Sequence, residues 1–171
     1  MVPHRRLLQK LDAYGVRGPL HKWVETFLCT RNMRVIVDGE SSQEAKVTSG
    51  VPQGTVLGPI LFLIHINDLP EAVSSEVRLF ADDCLLYRVI KSINDHLLLQ
   101  QDLKALEKWA LENDMSFNAK KCYILSIRNK STHFYQLKDT ILQEFPHNPY
   151  LGVMISNDLK WYRHFPDCSS P

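Results

Sequence analysis

Between Val77 and Val89 the chain reads V-R-L-F-A-D-D-C-L-L-Y-R-V, two apolar runs that meet at Asp82 and Asp83. Val77, Leu79 and Ala81 alternate with Arg78 and Phe80, and a run rich in Leu, Tyr and Val resumes from Cys84, so the pattern predicts two strands with the acidic pair where the hairpin turns. Asp also suits turns for its own reason, because its side chain hydrogen-bonds nearby backbone. Two neighbouring carboxylates at a strand end repel each other and keep their charge best with a divalent cation between them, preferably a hard, oxygen-seeking ion such as Mg²⁺. That suits phosphoryl transfer, in which two ions about 4 Å apart clamp the attacking and leaving oxygens.

At 171 residues and 44% hydrophobic content, the chain can bury one sizeable core. The longest apolar run, Ile60 to Ile66, is interrupted by His65 and is too short to span a bilayer. Met1-Val2-Pro3-His4-Arg5-Arg6 does not read as a secretory leader. The expectation is an intracellular protein, not secreted and without a membrane partner. Cys29, Cys84, Cys122 and Cys168 are scattered without metal-site spacing and read as reduced thiols.

The net charge of +1 hides a segregated distribution. Residues 1–34 carry Arg5, Arg6, Lys10, Arg17, Lys22, Arg31 and Arg34 against Asp12 and Glu25, and residues 115–138 carry Lys120, Lys121, Arg128, Lys130 and Lys138 with no acid. Such stretches suit a nucleic-acid backbone, and they equally suit a solvated face.

Leu7, Leu8, Leu11 and Tyr14 have helical spacing that Gly15 stops. A second helix starts near Pro19, with Leu20, Trp23, Val24, Phe27 and Leu28 on one face. Met33 to Val37, the Asp38-Gly39 turn and Ala45 to Thr48 read as a strand and its return. The Ser49 to Pro59 loop then brings Gly50, Pro52, Gly54, Gly58 and Pro59 ahead of an apolar helix from about Ile60 to Leu69. Its glycines let backbone approach a ligand, and a helix N-terminus behind them favours anions, although a rigid connecting loop has the same composition. Ser92 with Asp95 predicts a capping box for a helix with Leu99, Leu103, Leu106 and Ala110 inward. Strands follow at Tyr123 to Ile127, at Phe134-Tyr135 and at Tyr150 to Val153, as parts of one sheet.

Several of these stretches, in this order, resemble the reverse transcriptase domain of non-LTR (LINE-type) retrotransposons. They are V-P-H-R-R-L-L-Q-K-L at 2–11, S-G-V-P-Q-G-T-V-L-G-P-I-L-F-L at 49–63, I-N-D-L-P at 66–70, L-F-A-D-D at 79–83, F-N-A-K-K-C at 117–122, Y-L-G-V at 150–153 and D-L-K-W-Y-R-H at 158–164. The resemblance implies an α+β fold with a polymerase palm-type antiparallel sheet backed by helices. It implies copying of an RNA template into DNA from a primer and deoxynucleoside triphosphates, with Mg²⁺ as cofactor. Asp82 and Asp83 would be the metal-binding catalytic carboxylates, and Lys121 would lie near the triphosphate. Pro52, Gln53 and Gly54 would meet the incoming nucleotide and template, and Tyr150, Leu151 and Gly152 would support the primer end.

The chain also departs from that pattern. The strand carrying the family's first aspartate would precede Val2-Pro3-His4, so the resemblance implies a domain truncated at both ends. It covers residues 2–165 and leaves 166–171 as a divergent tail. His65 stands where the family often has Tyr, and Asn113 where Trp is common. The expectation is a polymerase domain with an incomplete set of carboxylates, inactive alone. The alternative is a non-catalytic nucleic-acid or protein binding module that keeps the palm fold.

Overall fold

The computed structural model describes residues 1–128 and 133–160. Lys130, Cys168, the residues 161–164 of the last matching stretch and the 166–171 tail lie outside them. In chain order the elements are α1 (His4–Ala13), α2 (Gly18–Cys29), β1 (Asn32–Met33), β2 (Ile36–Val37), β3 (Glu40–Ser41), β4 (Ala45–Lys46) and α3 (Leu57–Ile66). A 3₁₀ turn (Leu69–Ala72) leads to β5 (Glu76–Phe80), β6 (Asp83–Tyr87) and α4 (Ile93–Glu112). A second 3₁₀ turn (Ala119–Lys121) precedes β7 (Tyr123–Ile124), β8 (Gln136–Leu137), β9 (Thr140–Ile141), β10 (Gln143–Glu144), β11 (His147–Tyr150) and β12 (Val153–Ser156). The fold is α+β, and no helix among the described residues is long and apolar enough to cross a membrane.

Three apolar clusters run along the molecule, and two helices join them. Leu7 and Leu11 of α1, Val24 and Leu28 of α2 and Leu61 of α3 form the first with Val2. Ile66 of α3, Leu69, Val77 of β5 and Leu106, Trp109 and Ala110 of α4 form the second. Tyr135, Leu137 and Leu142 pack under Leu99 and Leu103 at the other end of α4 to form the third. Thus α3 links the first cluster to the second, and α4 links the second to the third. The predicted inner face of α4 is split between two cores.

Several elements differ from their sequence expectation. The apolar stripe of α2 buries Val24 and Leu28 but leaves Leu20 and Trp23 half exposed, with Trp23 stacked on Phe27 at 5.5 Å. Helix α3 starts at Leu57 because the first turn tolerates Pro59, whose missing N–H would be unpaired there anyway, and it gives way to the 3₁₀ turn near Pro70. The stretch from Met33 to Val37 divides into β1, paired with β4, and β2, paired with β3 across the Asp38-Gly39 turn. Both turn residues have positive φ, 51° and 86°, as a type I′ hairpin requires. The Tyr123 strand is only two residues long and pairs in parallel with β10. Phe134-Tyr135 is not a strand, with β8 beginning one residue later, and the predicted strand Tyr150 to Val153 is instead the turn between β11 and β12, where Leu151 and Gly152 take positive φ. Among the described residues the strands form six two-stranded ladders rather than one sheet. Most are two residues long, too short to recruit a third neighbour.

Two polar anchors tie this architecture together. Asp102, buried on α4, accepts the backbone N–H groups of Ser74 (2.8 Å) and Ser75 (2.9 Å), and both serine hydroxyls. The Arg88 guanidinium sits 3.5 Å from the same carboxylate. Burial pushes the Asp102 carboxyl up, but the bonds from Ser74 and Ser75 outweigh it and hold the group below its ordinary range. The second anchor is Asp68, which accepts from Lys10 Nζ (2.6 Å) and from the Trp109 indole N–H (3.2 Å). Lys10 also donates to the His65 carbonyl (2.6 Å), which joins α1, the end of α3 and α4.

Asp102→Asn is expected to destabilise the fold by about 3 kcal/mol, since it strips the charge partner from a largely buried Arg88 and turns an amide donor toward N–H groups. Urea denaturation of the two proteins measures this. His65 gives a second expectation. Its ring is fully buried, neither nitrogen has a partner among the described residues, and burial first and the Lys10 ammonium second lower its pKa from 6.5 to about 4. Between those values the unfolded chain binds a proton that the folded chain rejects. Stability should therefore fall as pH drops from 6.5 toward 4, by about 3 kcal/mol in all. His65→Leu should remove that slope and raise stability at neutral pH, read as denaturation midpoints across the range.

Candidate active site

Asp82 and Asp83 sit at the tip of the β5–β6 hairpin, whose register pairs Phe80 with Asp83 and leaves Ala81 and Asp82 as a two-residue loop. Ala81 holds φ at 49°, the sign that a type II′ turn needs at its first loop position. A non-glycine residue there costs on the order of 1 kcal/mol, which the clamp at the hairpin's other end helps to sustain. The pleat does the rest. Val77, Leu79, Cys84 and Leu86 face the second core, while Phe80, Asp83, Leu85 and Tyr87 face outward. Both carboxylates are exposed.

The hairpin is fixed at its open end. Ser74 and Ser75 immediately precede β5, Arg88 immediately follows β6, and all three converge on Asp102. The acidic tip is thereby cantilevered from α4. Arg78 also lies over the Tyr87 ring, 5.7 Å from its centre, on the outer face.

Tyr123 feels the charge of the acidic tip, and the sequence pattern does not single it out. Burial raises the pKa of its phenol, and the next contributions come from the negative charge of Asp83, then from Cys122 and Tyr150. Its Oη donates to the Pro149 carbonyl at 3.0 Å, and its ring meets Phe145 edge-on at 6.5 Å. Tyr123 therefore stands within electrostatic reach of Asp83 and is bonded to the β11–β12 hairpin, two residues after Lys121. Its only signal in the sequence is its place beside Lys120-Lys121-Cys122.

Lys121 ends a 3₁₀ turn that Asn118 organises, its carbonyl accepting the Lys121 N–H at 2.9 Å and its side chain accepting the Lys120 N–H at 3.2 Å. Both lysine side chains are exposed, and Lys121 has no ion-pair partner among the described residues. Tyr150 closes β11, and Leu151 (φ 50°) and Gly152 (φ 79°) form the two-residue turn into β12. That pair of positive φ values is again the type I′ requirement.

The Gln53 loop lies on a different element. Thr55 donates its hydroxyl to the Pro52 carbonyl (2.8 Å) and accepts the Gly58 N–H (3.1 Å), so the loop folds back on the first turn of α3. The approach is close enough that a Cβ at Gly58 would lie 2.3 Å from the Pro52 oxygen, which only glycine avoids. This narrows the expectation of an anion site at the helix N-terminus, since Gly58 spends its N–H on Thr55 and Pro59 has none. Gln53 and Gly54 are exposed at the loop tip, Gly54 at φ 77°. Among the described residues no hydrogen bond joins Gln53 to the Asp82/Asp83 hairpin.

No group of three or more His, Cys, Asp or Glu side chains among the described residues is placed to hold a metal ion. Asp12 is engaged with Arg17 (3.2 Å) and Asp68 with Lys10, so neither complements Asp82 and Asp83. The pair on its own matches the demand of one Mg²⁺-like ion, which takes one or two carboxylates and fills its other positions with water or substrate phosphate.

Comparison with known proteins identifies the family. The family model described as reverse transcriptase (RNA-dependent DNA polymerase) matches residues 1–155. The RNA-directed DNA polymerase from mobile element jockey of Drosophila melanogaster is 31% identical over 85% of this chain and 17% of its own length. Its Drosophila funebris counterpart is 30% identical over 94% of the chain and 19% of its own length. A probable RNA-directed DNA polymerase from transposon X-element of Drosophila melanogaster is 28% identical over 88% and 17%. The chain thus spans less than a fifth of the length of these relatives. With a match across most of its length and the acidic hairpin in place, the chain belongs to the reverse transcriptase (RNA-dependent DNA polymerase) family.

Proposed function

We propose that this chain is the palm portion of an RNA-directed DNA polymerase of the mobile-element type, acting inside the cell on an RNA template, a DNA primer and deoxynucleoside triphosphates. The observation that carries the reading is the exposed Asp82/Asp83 tip, clamped from behind by Asp102 and approached by Tyr123. A divalent ion, Mg²⁺ in this reading, would be held by Asp82 and Asp83 and would supply charge stabilisation for the attacking and leaving oxygens.

The chain's own residues do the remaining work. Lys121, exposed on its capped turn, can place an ammonium where negative charge builds on a leaving pyrophosphate. Pro52, Gln53 and Gly54 offer amide and backbone groups at a fixed loop for the base or sugar of a nucleotide. The Tyr150-Leu151-Gly152 turn, braced by Tyr123 through Pro149, is a rigid ledge suited to a primer end. Lys120, Lys121 and Arg128 are exposed cations suited to a phosphate backbone.

Two carboxylates hold one ion more readily than two, and no third ligand converges on them among the described residues. The isolated chain is therefore expected to extend a primed RNA template no faster than background. Grafted in place of the matching segment of the Drosophila melanogaster jockey polymerase, it should support extension. There Asp82→Asn should lower single-turnover nucleotide addition by at least about a hundredfold while leaving template affinity nearly unchanged. Lys121→Ala should cost less than Asp82→Asn. Near-normal turnover in the Asp82→Asn graft, or a loss of template binding in proportion to activity, would overturn the assignment.

A further inference from the structure

Away from the acidic hairpin, an open cleft of about 640 Å³ runs between α1, α2 and the β4 segment, and His4, His21, Cys29 and Lys46 are among its lining residues. On its wall the Cys29 Sγ lies 3.8 Å from His4 Nδ1, while His4 Nε2 lies 2.8 Å from the Gly50 carbonyl oxygen. A carbonyl only accepts, so Nε2 carries the proton and donates it. The neutral ring then turns its lone pair at Nδ1 toward the thiol. Gly50 does not drift, because its N–H donates to the Val2 carbonyl (2.7 Å) and its oxygen also accepts from Arg31 (3.0 Å). His4 is itself buried. The result is a thiol, a base fixed in tautomer and direction, and a solvent path to the sulfur, the constellation that activates a cysteine nucleophile.

We propose that Cys29 is a modification site for small peroxides, oxidised to a sulfenic acid with His4 as the proton carrier. His4 Nδ1 takes the thiol proton, and the sulfur attacks one peroxide oxygen. A sulfur–oxygen bond forms as the oxygen–oxygen bond breaks, and the departing hydroxide takes the proton from His4 and leaves as water. Sulfur loses two electrons and the peroxide gains them, so the step needs no further oxidant.

The other two described cysteines differ in setting. Burial first, and for Cys84 the neighbouring Cys122 as well, raises the thiol of Cys84 to about 11. Burial also raises the thiol of Cys122. Among the described residues neither hydrogen-bonds an imidazole, and Cys122 Sγ instead donates to the Asn118 carbonyl at 3.3 Å. The proposal does not depend on the polymerase reading, since none of its groups belongs to the Asp82/Asp83 hairpin.

The test exposes the folded chain to limiting hydrogen peroxide with a 1,3-dione that traps sulfenic acids, and follows each cysteine by peptide mass spectrometry. Cys29 should be trapped about tenfold faster than Cys84 and Cys122. His4→Gln keeps an amide donor for Gly50 but cannot carry the proton, and should slow trapping at Cys29 about tenfold while leaving the other two unchanged. The comparison among cysteines in the unmutated chain stands even if that variant does not fold. Trapping at Cys29 no faster than at Cys84 and Cys122 would overturn the proposal, as would a folded His4→Gln chain with an unchanged rate.

Discussion

The hydrogen bonds that converge on Asp102 decide whether this chain can present its acidic pair at all. A two-stranded hairpin is marginal in water, and this one has exposed apolar residues on its outer face, with Phe80 60% exposed and Tyr87 40%. Its inner face buries Val77, while Leu79, Cys84 and Leu86 are only partly covered. Packing alone would leave the tip free to splay. Asp102 closes the open end, accepting from the two residues before β5 and pairing with the residue after β6. One carboxylate on α4 thus sets the position of two others at the opposite end of the hairpin.

The chemistry follows from how differently these carboxylates are treated. Asp102 is buried and saturated with donors, so its charge is spent on structure. Asp82 and Asp83 are exposed, and no third ligand group gathers around them among the described residues. Tyr123 bonds the β11–β12 hairpin through Pro149, and the charge of Asp83, after burial, adds to what raises its phenol. The Gln53 loop sits at the far end of α3 from the second core, and among the described residues no hydrogen bond joins it to the hairpin.

Much of this was legible in the sequence because it rests on local rules. The F-A-D-D turn, the Asp38-Gly39 turn and the Ser92/Asp95 cap each depend on a few adjacent residues, and the Asp95 carboxylate does accept the Lys91 and Ser92 N–H groups at 3.0 and 2.9 Å. What the sequence did not reveal depends on distant partners. Nothing local marks Asp102 as the hairpin's clamp, because Ser74, Ser75 and Arg88 meet it only after α4 packs on the 3₁₀ turn. Tyr123 is hidden for the same reason. The extent of strand pairing was overread because β propensity in Met33 to Val37 and Tyr123 to Ile127 does not supply a neighbour. The stripe on α2 was overread as well, because Leu20 and Trp23 stay half exposed although they share its apolar face.

We propose that the hairpin holds Asp82 and Asp83 as one divalent-ion site on a rigid mount. Substoichiometric Mn²⁺, a paramagnetic stand-in for Mg²⁺, tests it through line broadening of backbone amide NMR signals. Broadening should concentrate on Ala81 to Cys84 and extend to Tyr123, and it should be lost when Asp82 and Asp83 are both changed to Asn. Equal broadening around other exposed carboxylates such as Glu40 and Glu112, or none at the hairpin tip, would contradict it.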